Sequence, residues 1–98
     1  MIINKKTEQS TLFLAPVGRL DTTTAPELEA ELEASLSGVK HFVLDLKDVV
    51  YVSSAGLRVI LKAQKIMKPH GGMKVVGVND TVMEVFEITG FADILTIE

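Results

Sequence analysis

Between Phe42 and Met67 the apolar residues change period once, and that change limits the folds open to this chain. Phe42-Val43-Leu44-Asp45-Leu46 is a short apolar run with aromatic and β-branched members, which predicts a buried strand. Beyond Ser54, apolar residues recur at Leu57, Ile60, Leu61, Ala63 and Met67, which is helical spacing. A strand and a short loop therefore deliver two serines, Ser53 and Ser54, to the start of a helix. The function is expected at that junction.

The flanking sequence repeats the alternation. Ile2 to Glu8 reads as an edge strand, turned at Gln9-Ser10 into a second strand over Thr11 to Val17, with Pro16 at its end. Gly18-Arg19-Leu20-Asp21 leaves that strand. Thr24 with Glu27 has the capping-box pattern, and Pro26 suits a first helical turn. Leu28, Leu32 and Leu36 then mark the buried face of a helix that stops at Gly38. Val39 to Leu46 is the central strand, and Lys47-Asp48 opens the loop toward the serines. The second helix ends at Pro69, and Gly71-Gly72 turns into a strand over Lys74 to Val78. Asn79-Asp80 opens a third helix with Val82, Val85 and Phe86 on one face and Gly90 at its end. A last strand follows over Ile94 to Ile97. The expected order is β-β-α-β-α-β-α-β, an α/β fold with a mixed, mostly parallel sheet, an N-terminal β-hairpin and three or more helices. With no linker, repeat or low-complexity segment, residues 1–98 are expected to form one domain.

Two readings of the serine junction are compatible. A helix start has unpaired N–H groups and a positive dipole end, and serine is among the best residues to cap it. A serine there can also carry a phosphate, whose added charge the dipole tolerates, so that the surface changes while the fold survives. On a helical wheel Arg58, Lys62 and Lys65 share one stripe, with Ser54 near its upper end. That stripe is either a solvated face or a positive docking surface for an acidic partner, which a phosphate on Ser54 would partly neutralise.

Composition narrows the function classes. The net charge of −3 and the absence of a basic arm give no electrostatic case for nucleic acid. Without cysteine there is no disulfide, thiol catalyst or cysteine-based metal site. No apolar run approaches the roughly 20 residues that span a bilayer, and Met1-Ile2-Ile3-Asn4-Lys5-Lys6 lacks the apolar core of a signal peptide, so a cytoplasmic, membrane-free protein is expected. A hydrolase on Ser54 would need a base. His41 and His70 sit in no recognisable motif, and the glycine two places before the serine of a nucleophile elbow is missing. Gly71 to Gly77 lacks the Lys-Ser/Thr pair of a P-loop, and Asp45 with Asp48 reads as a solvated loop rather than a magnesium site. No cofactor and no catalysis are expected.

Three segments together resemble one family: Gly18-Arg19-Leu20-Asp21 with Thr23 and Ala25; Phe42 to Leu46 followed by Val50-Tyr51-Val52-Ser53-Ser54-Ala55-Gly56-Leu57; and Val85-Phe86-Glu87-Ile88-Thr89-Gly90-Phe91. Over nearly its whole length the chain resembles the STAS domains, and among them the stand-alone bacterial anti-sigma factor antagonists. The resemblance implies a STAS-type fold and a regulatory serine at the start of the second helix, here Ser54, with Ser53 as the alternative. It implies a partner that is both an anti-sigma factor and a serine kinase, and a serine phosphatase that reverses the modification. The implied partner-binding surface comprises Asp21, Thr23, Ser53, Ser54, Ala55, Gly56, Arg58 and Lys62. The commonest family motif has aspartate where this chain has Ser53, and often a hydroxyl residue where it has Ala55.

Three functions follow as expectations: a phosphorylation-controlled antagonist of an anti-sigma factor, a constitutive STAS subunit of a lipid-transport or stressosome-like complex, or a small nucleotide-binding protein or enzyme.

Overall fold

A computed structural model describes all of residues 1–98. The chain forms β1 (Ile2–Glu8), β2 (Thr11–Leu20), α1 (Ala25–Ser35), β3 (His41–Asp45), β4 (Val49–Val52), α2 (Ser54–Met67), β5 (Met73–Val76) and α3 (Asp80–Thr89), with single 3-10 turns at Lys68–His70 and Phe91–Asp93. The mixed α/β sheet expected from the sequence is present. β1 pairs antiparallel with β2, while β2 with β3, β2 with β4, and β3 with β5 are parallel.

β2 is the axis of the sheet. Its residues Leu12, Leu14, Pro16 and Leu20 are buried while their neighbours are half-buried or exposed, the period-2 pattern of a strand with one face in the core. Phe42 and Leu44 of β3 and Met73 and Val75 of β5 continue that buried face. Leu28 and Leu32 of α1 and Leu57, Ile60, Ala63 and Met67 of α2 close over it. A helix with apolar residues every three or four positions can bury only one stripe, so these two helices supply one wall of the core. Val82 and Phe86 bring α3 into the same cluster.

The element order is β-β-α-β-β-α-β-α, which differs from the expected order at two places. Val49–Val52 is a strand, not a loop. β2 is ten residues long, and β3 occupies only Thr11 to Leu14 of it. β4 takes the unused length, pairing with Gly18, Arg19 and Leu20 across a register shift that Gly18 accommodates at φ 103. The last strand shrinks to one parallel bridge, Val75 with Ile97, held by Val75 N–H to Thr96 O at 2.8 Å and Glu98 N–H to Val75 O at 2.9 Å.

Local details differ as well. Pro16 lies inside β2, between the residues that pair with β3 and those that pair with β4, so neither parallel ladder needs its missing N–H. The capping box at α1 does not form. Thr24 Oγ1 donates to Arg19 O at 2.6 Å and accepts from Asp21 N–H at 2.9 Å, and Glu27 pairs with the Met1 ammonium at 2.7 Å. Asn79 caps α3 through Val82 N–H at 2.9 Å, and its Nδ2 donates to Val49 O at 2.8 Å, tying α3 to β4.

Candidate functional site

The site is built where the parallel ends of β2 and β4 meet the start of α2. Leu20 pairs with Val52, and Ser53 N–H donates to Leu20 O at 2.9 Å, so the residues that follow each strand, Asp21 and Ser53, emerge side by side. Ser53 has extended backbone (φ −88, ψ 176) and is the N-cap of α2. Its carbonyl accepts from Leu57 N–H at 2.9 Å, and its hydroxyl from Gly56 N–H at 3.4 Å. Ser54 is the first residue of α2 and is exposed; its hydroxyl takes part in none of the side-chain hydrogen bonds, and it sits at the positive end of a 14-residue helix. Adjacent serines thus have different situations, one committed to the backbone and one open to solvent.

Gly56 sets how closely the helix start approaches β2. A Cβ there would lie 2.8 Å from Leu20 O, 2.8 Å from Leu20 Cγ and 3.1 Å from Val52 Cγ1. Only a residue without a side chain lets the first turn of α2 rest against the strand ends, and that contact holds the Ser53–Ser54 junction against the end of β2 from which Asp21 emerges.

Asp21 closes the other side. Its Oδ1 accepts from Thr23 N–H at 3.0 Å, Thr24 N–H at 3.2 Å and the Thr24 hydroxyl at 3.3 Å, and Arg19 Nε lies 3.6 Å from its Oδ2. The Thr24 amide, the largest influence, together with the Thr23 amide, the Thr24 hydroxyl and Arg19, holds the Asp21 carboxyl below the ordinary aspartate value, against desolvation, the second-largest influence, which raises it. A depressed carboxylate pKa adds stability that is fully present above the unfolded value, near 3.9, and is lost as the pH falls through the lower folded value. Urea unfolding of Asp21→Asn is therefore expected to show a larger deficit against the parent at pH 7 than at about pH 2.5. An equal deficit at both would mean that the loop is held by geometry alone.

Two neighbours were not among the sequence-derived site residues. Arg19 pairs with Tyr51 in the β2–β4 register, and its guanidinium sits over the Tyr51 ring, 4.5 Å from the centroid. With Tyr51 37% exposed and Val50 60% exposed, they extend the surface around Ser54 with apolar and cationic character. The signal was available in Gly18-Arg19-Leu20-Asp21, but the reading of 49–52 as a loop hid the register that joins Arg19 to Tyr51.

The other residues divide. Thr23, Ala55 and Arg58 lie at the same end, with Ala55 and Arg58 on a shallow groove beside Thr22 and Pro26. Arg58 makes no ion pair, whereas Lys62, about 12 Å along the helix axis from Ser54, is 2.9 Å from Glu29 and 2.8 Å from Glu33 of α1. Those hydrogen bonds, Glu33's first, raise the Lys62 pKa. The cationic stripe drawn on the wheel is therefore interrupted: Lys62 is matched inside the molecule and fastens α1 to α2, and Arg58 is the free cation nearest Ser54.

The STAS domain family matches residues 3–98. A protein of Bordetella bronchiseptica named as the anti-sigma factor antagonist BtrV is 40% identical over 82 residues, covering 82% of this chain and 71% of that protein. The anti-sigma-B factor antagonist of Listeria monocytogenes is 34% identical over 101 residues, covering 99% of this chain and 85% of its own length. Among solved structures, the anti-sigma factor antagonist SpoIIAA in its unphosphorylated form superposes with a TM-score of 0.83 at 15% identity, over 99% of this chain and 88% of that chain. The Bacillus SpoIIAA in its phosphorylated form gives 0.75 at 14%, over 99% and 91%. At such identities the structural likeness is one of fold.

Proposed function

We propose, since the chain belongs to the STAS domain family and within it to the anti-sigma factor antagonists, that it is a phosphorylation-controlled binding module. In its unmodified form it binds an anti-sigma factor that is also a serine kinase, and a sigma factor is released. Phosphorylation of Ser54 switches the binding off, and a serine phosphatase restores it. The docking surface is the end formed by Asp21, Thr23, Ser53, Ser54, Ala55, Gly56 and Arg58, with Arg19 and Tyr51 beside it and Lys62 bracing α1 underneath. The chain acts as one domain in the cytoplasm, touches no nucleic acid directly, and catalyses nothing itself. No helix is long and apolar enough to cross a membrane.

The observation that carries this reading is the contrast between the two serines. A kinase needs a hydroxyl it can reach, and Ser54 is exposed with its hydroxyl uncommitted. Ser53 is half-buried and caps the helix, so phosphate there would displace the cap contact to Gly56. A phosphate on Ser54 would instead sit where helix amides favour an anion. Its charge and bulk would then lie in the middle of a small interface, where desolvating it without a matching cation costs several kcal/mol. About 1.4 kcal/mol is already tenfold in affinity, so no refolding is required. That a protein of the same fold has been solved both with and without phosphate supports the same reading.

The test is intact mass after incubation with ATP and candidate anti-sigma factor kinases, followed by peptide mapping. One added phosphate on Ser54 is expected. Mapping to Ser53 would move the switch by one residue, and no modification by any candidate would favour a constitutive STAS subunit of a larger assembly.

A further inference from the structure

The charged side chains of this protein are paired with an unusual division between the two ends of the sheet. Nine of the thirteen carboxylates and six of the ten lysine and arginine side chains are in ion pairs. The unpaired carboxylates are Asp80, Glu84, Glu87 and Asp93, all in α3 and the turn after it. The unpaired cations are Lys40, Arg58, Lys65 and Lys68.

Topology sorts these groups. β2 to β5 are mutually parallel, so each helix that links or follows them runs back and ends where β3 and β5 begin. Met67 O accepts from Gly72 N–H at 2.9 Å and Gly72 O from Phe42 N–H at 3.2 Å, which places the end of α2 there. Ile97 pairs in parallel with Val75, so the chain has returned to that end by Gly90–Asp93. Arg58 and Asp80, in the first turns of α2 and α3, belong to the Ser54 end. The end away from Ser54 holds three free cations, Lys40, Lys65 and Lys68, and three free carboxylates, Glu87 and Asp93 with Glu84 one turn above them.

Each set surrounds apolar surface. Ile88 is 76% exposed and Ile94 50% exposed beside the carboxylates. Lys40 lines an open groove of about 680 Å³ with Leu36, Val39, Ile66, Pro69 and Glu33, the last paired to Lys62, and Lys65 and Lys68 adjoin Ile66 and Pro69 in the chain. The acidic set is locally unfavourable as it stands: α3 has no basic residue in its last turn, and Glu87 lies at the negative end of the helix dipole. A cation brought from outside would relieve that.

We infer that this end binds a second copy of the chain. An acidic set and a basic set that share one end of the molecule can meet their opposites in a second copy about a two-fold axis. The acidic set of each copy meets the basic set of the other, and both contacts close at once. The resulting dimer leaves the two Ser54 ends pointing outward and free. The inference does not depend on the function of Ser54. A contact of this kind is weak, with a dissociation constant on the order of 100 µM.

Sedimentation equilibrium of the whole chain from about 10 µM to 1 mM at low salt tests it. The expected mass rises from 10.7 kDa toward a limit of twice that value. At about 0.5 M salt, where screening shortens to a few ångström, it falls back to one copy. The pair Lys65→Glu and Lys68→Glu, and separately the pair Glu84→Lys and Glu87→Lys, should each weaken association at least about tenfold. Mixing the two double variants should restore a species of two copies, since every facing pair is again opposite in sign. All four positions are on the surface, and circular dichroism verifies folding. A single copy at every concentration, growth past two copies, or a dimer indifferent to both charge reversals would overturn the inference.

Discussion

Ser54→Asp is expected to lose the anti-sigma factor partner while Ser54→Ala keeps it. The aspartate places one negative charge at the first position of α2, where the dipole favours it by about 0.3–1 kcal/mol, so the melting temperature should stay level or rise slightly. In the interface the same charge must be desolvated beside Asp21, whose carboxylate lies on the neighbouring strand end. Like charges brought together in a contact that excludes water cost several kcal/mol, so affinity should fall at least about thirtyfold. Alanine removes a hydroxyl that makes no hydrogen bond within the chain and should change affinity by no more than about threefold. Titration calorimetry with the cognate anti-sigma factor, paired with thermal melts, separates the two effects. Equal affinity for both variants would end the switch reading; a matching fall in melting temperature would show that aspartate had disturbed the fold instead.

Gly56→Ala is expected to destabilise the protein, in the direction opposite to helix propensity. Alanine in place of glycine inside a helix ordinarily gains roughly 1 kcal/mol. At this position the new methyl would stand 2.8 Å from Leu20 O, a backbone atom held in the β2–β4 ladder, and cannot be accommodated by turning a side chain. Overpacking of that kind costs about 1–3 kcal/mol. Allowing for the propensity gain, we expect a net loss of up to about 2 kcal/mol, which at its upper limit is roughly 8–16 °C in melting temperature for a domain of this size. Because α2 must back away from the strand ends, Ser54 also moves relative to Asp21, and partner affinity should fall with stability. A higher melting temperature for Gly56→Ala would show that the strand ends yield easily and that the glycine is not what seats the helix.

Much of this molecule is legible in its sequence, because the decisive signals are local. Leu28, Leu32 and Leu36 recur at helical spacing and are all buried in α1 or just after it; Val82 and Phe86 do the same for α3, and Gly90 ends that helix with φ 82. The serine junction was legible for the same reason, since capping preference and the onset of helical periodicity fall on neighbouring residues. The family resemblance rests on Gly18–Asp21 with Thr23 and Ala25, on Phe42–Leu46 with Val50–Leu57, and on Val85–Phe91, and the STAS match over residues 3–98 agrees with it.

What stayed hidden depends on which segments come to lie side by side. Val49–Val52 is as β-prone as Phe42–Leu46, but only the excess length of β2 over β3 makes a strand site for it, and length is a property of the pair. The Thr24–Glu27 capping pattern was outcompeted by Arg19 O and the Met1 ammonium, groups distant in sequence. Lys62 reads as a free cation on a wheel of α2 alone and is matched only because α1 packs alongside with Glu29 and Glu33 facing it. The sequence by itself determined the elements, the buried stripes and the serines at a helix start, because backbone preference and hydrophobic period act within a few residues. Which serine stands free, which charges remain unpaired and at which end they gather were decided only by tertiary structure, because pairing and exposure depend on neighbours that the order of the chain does not name.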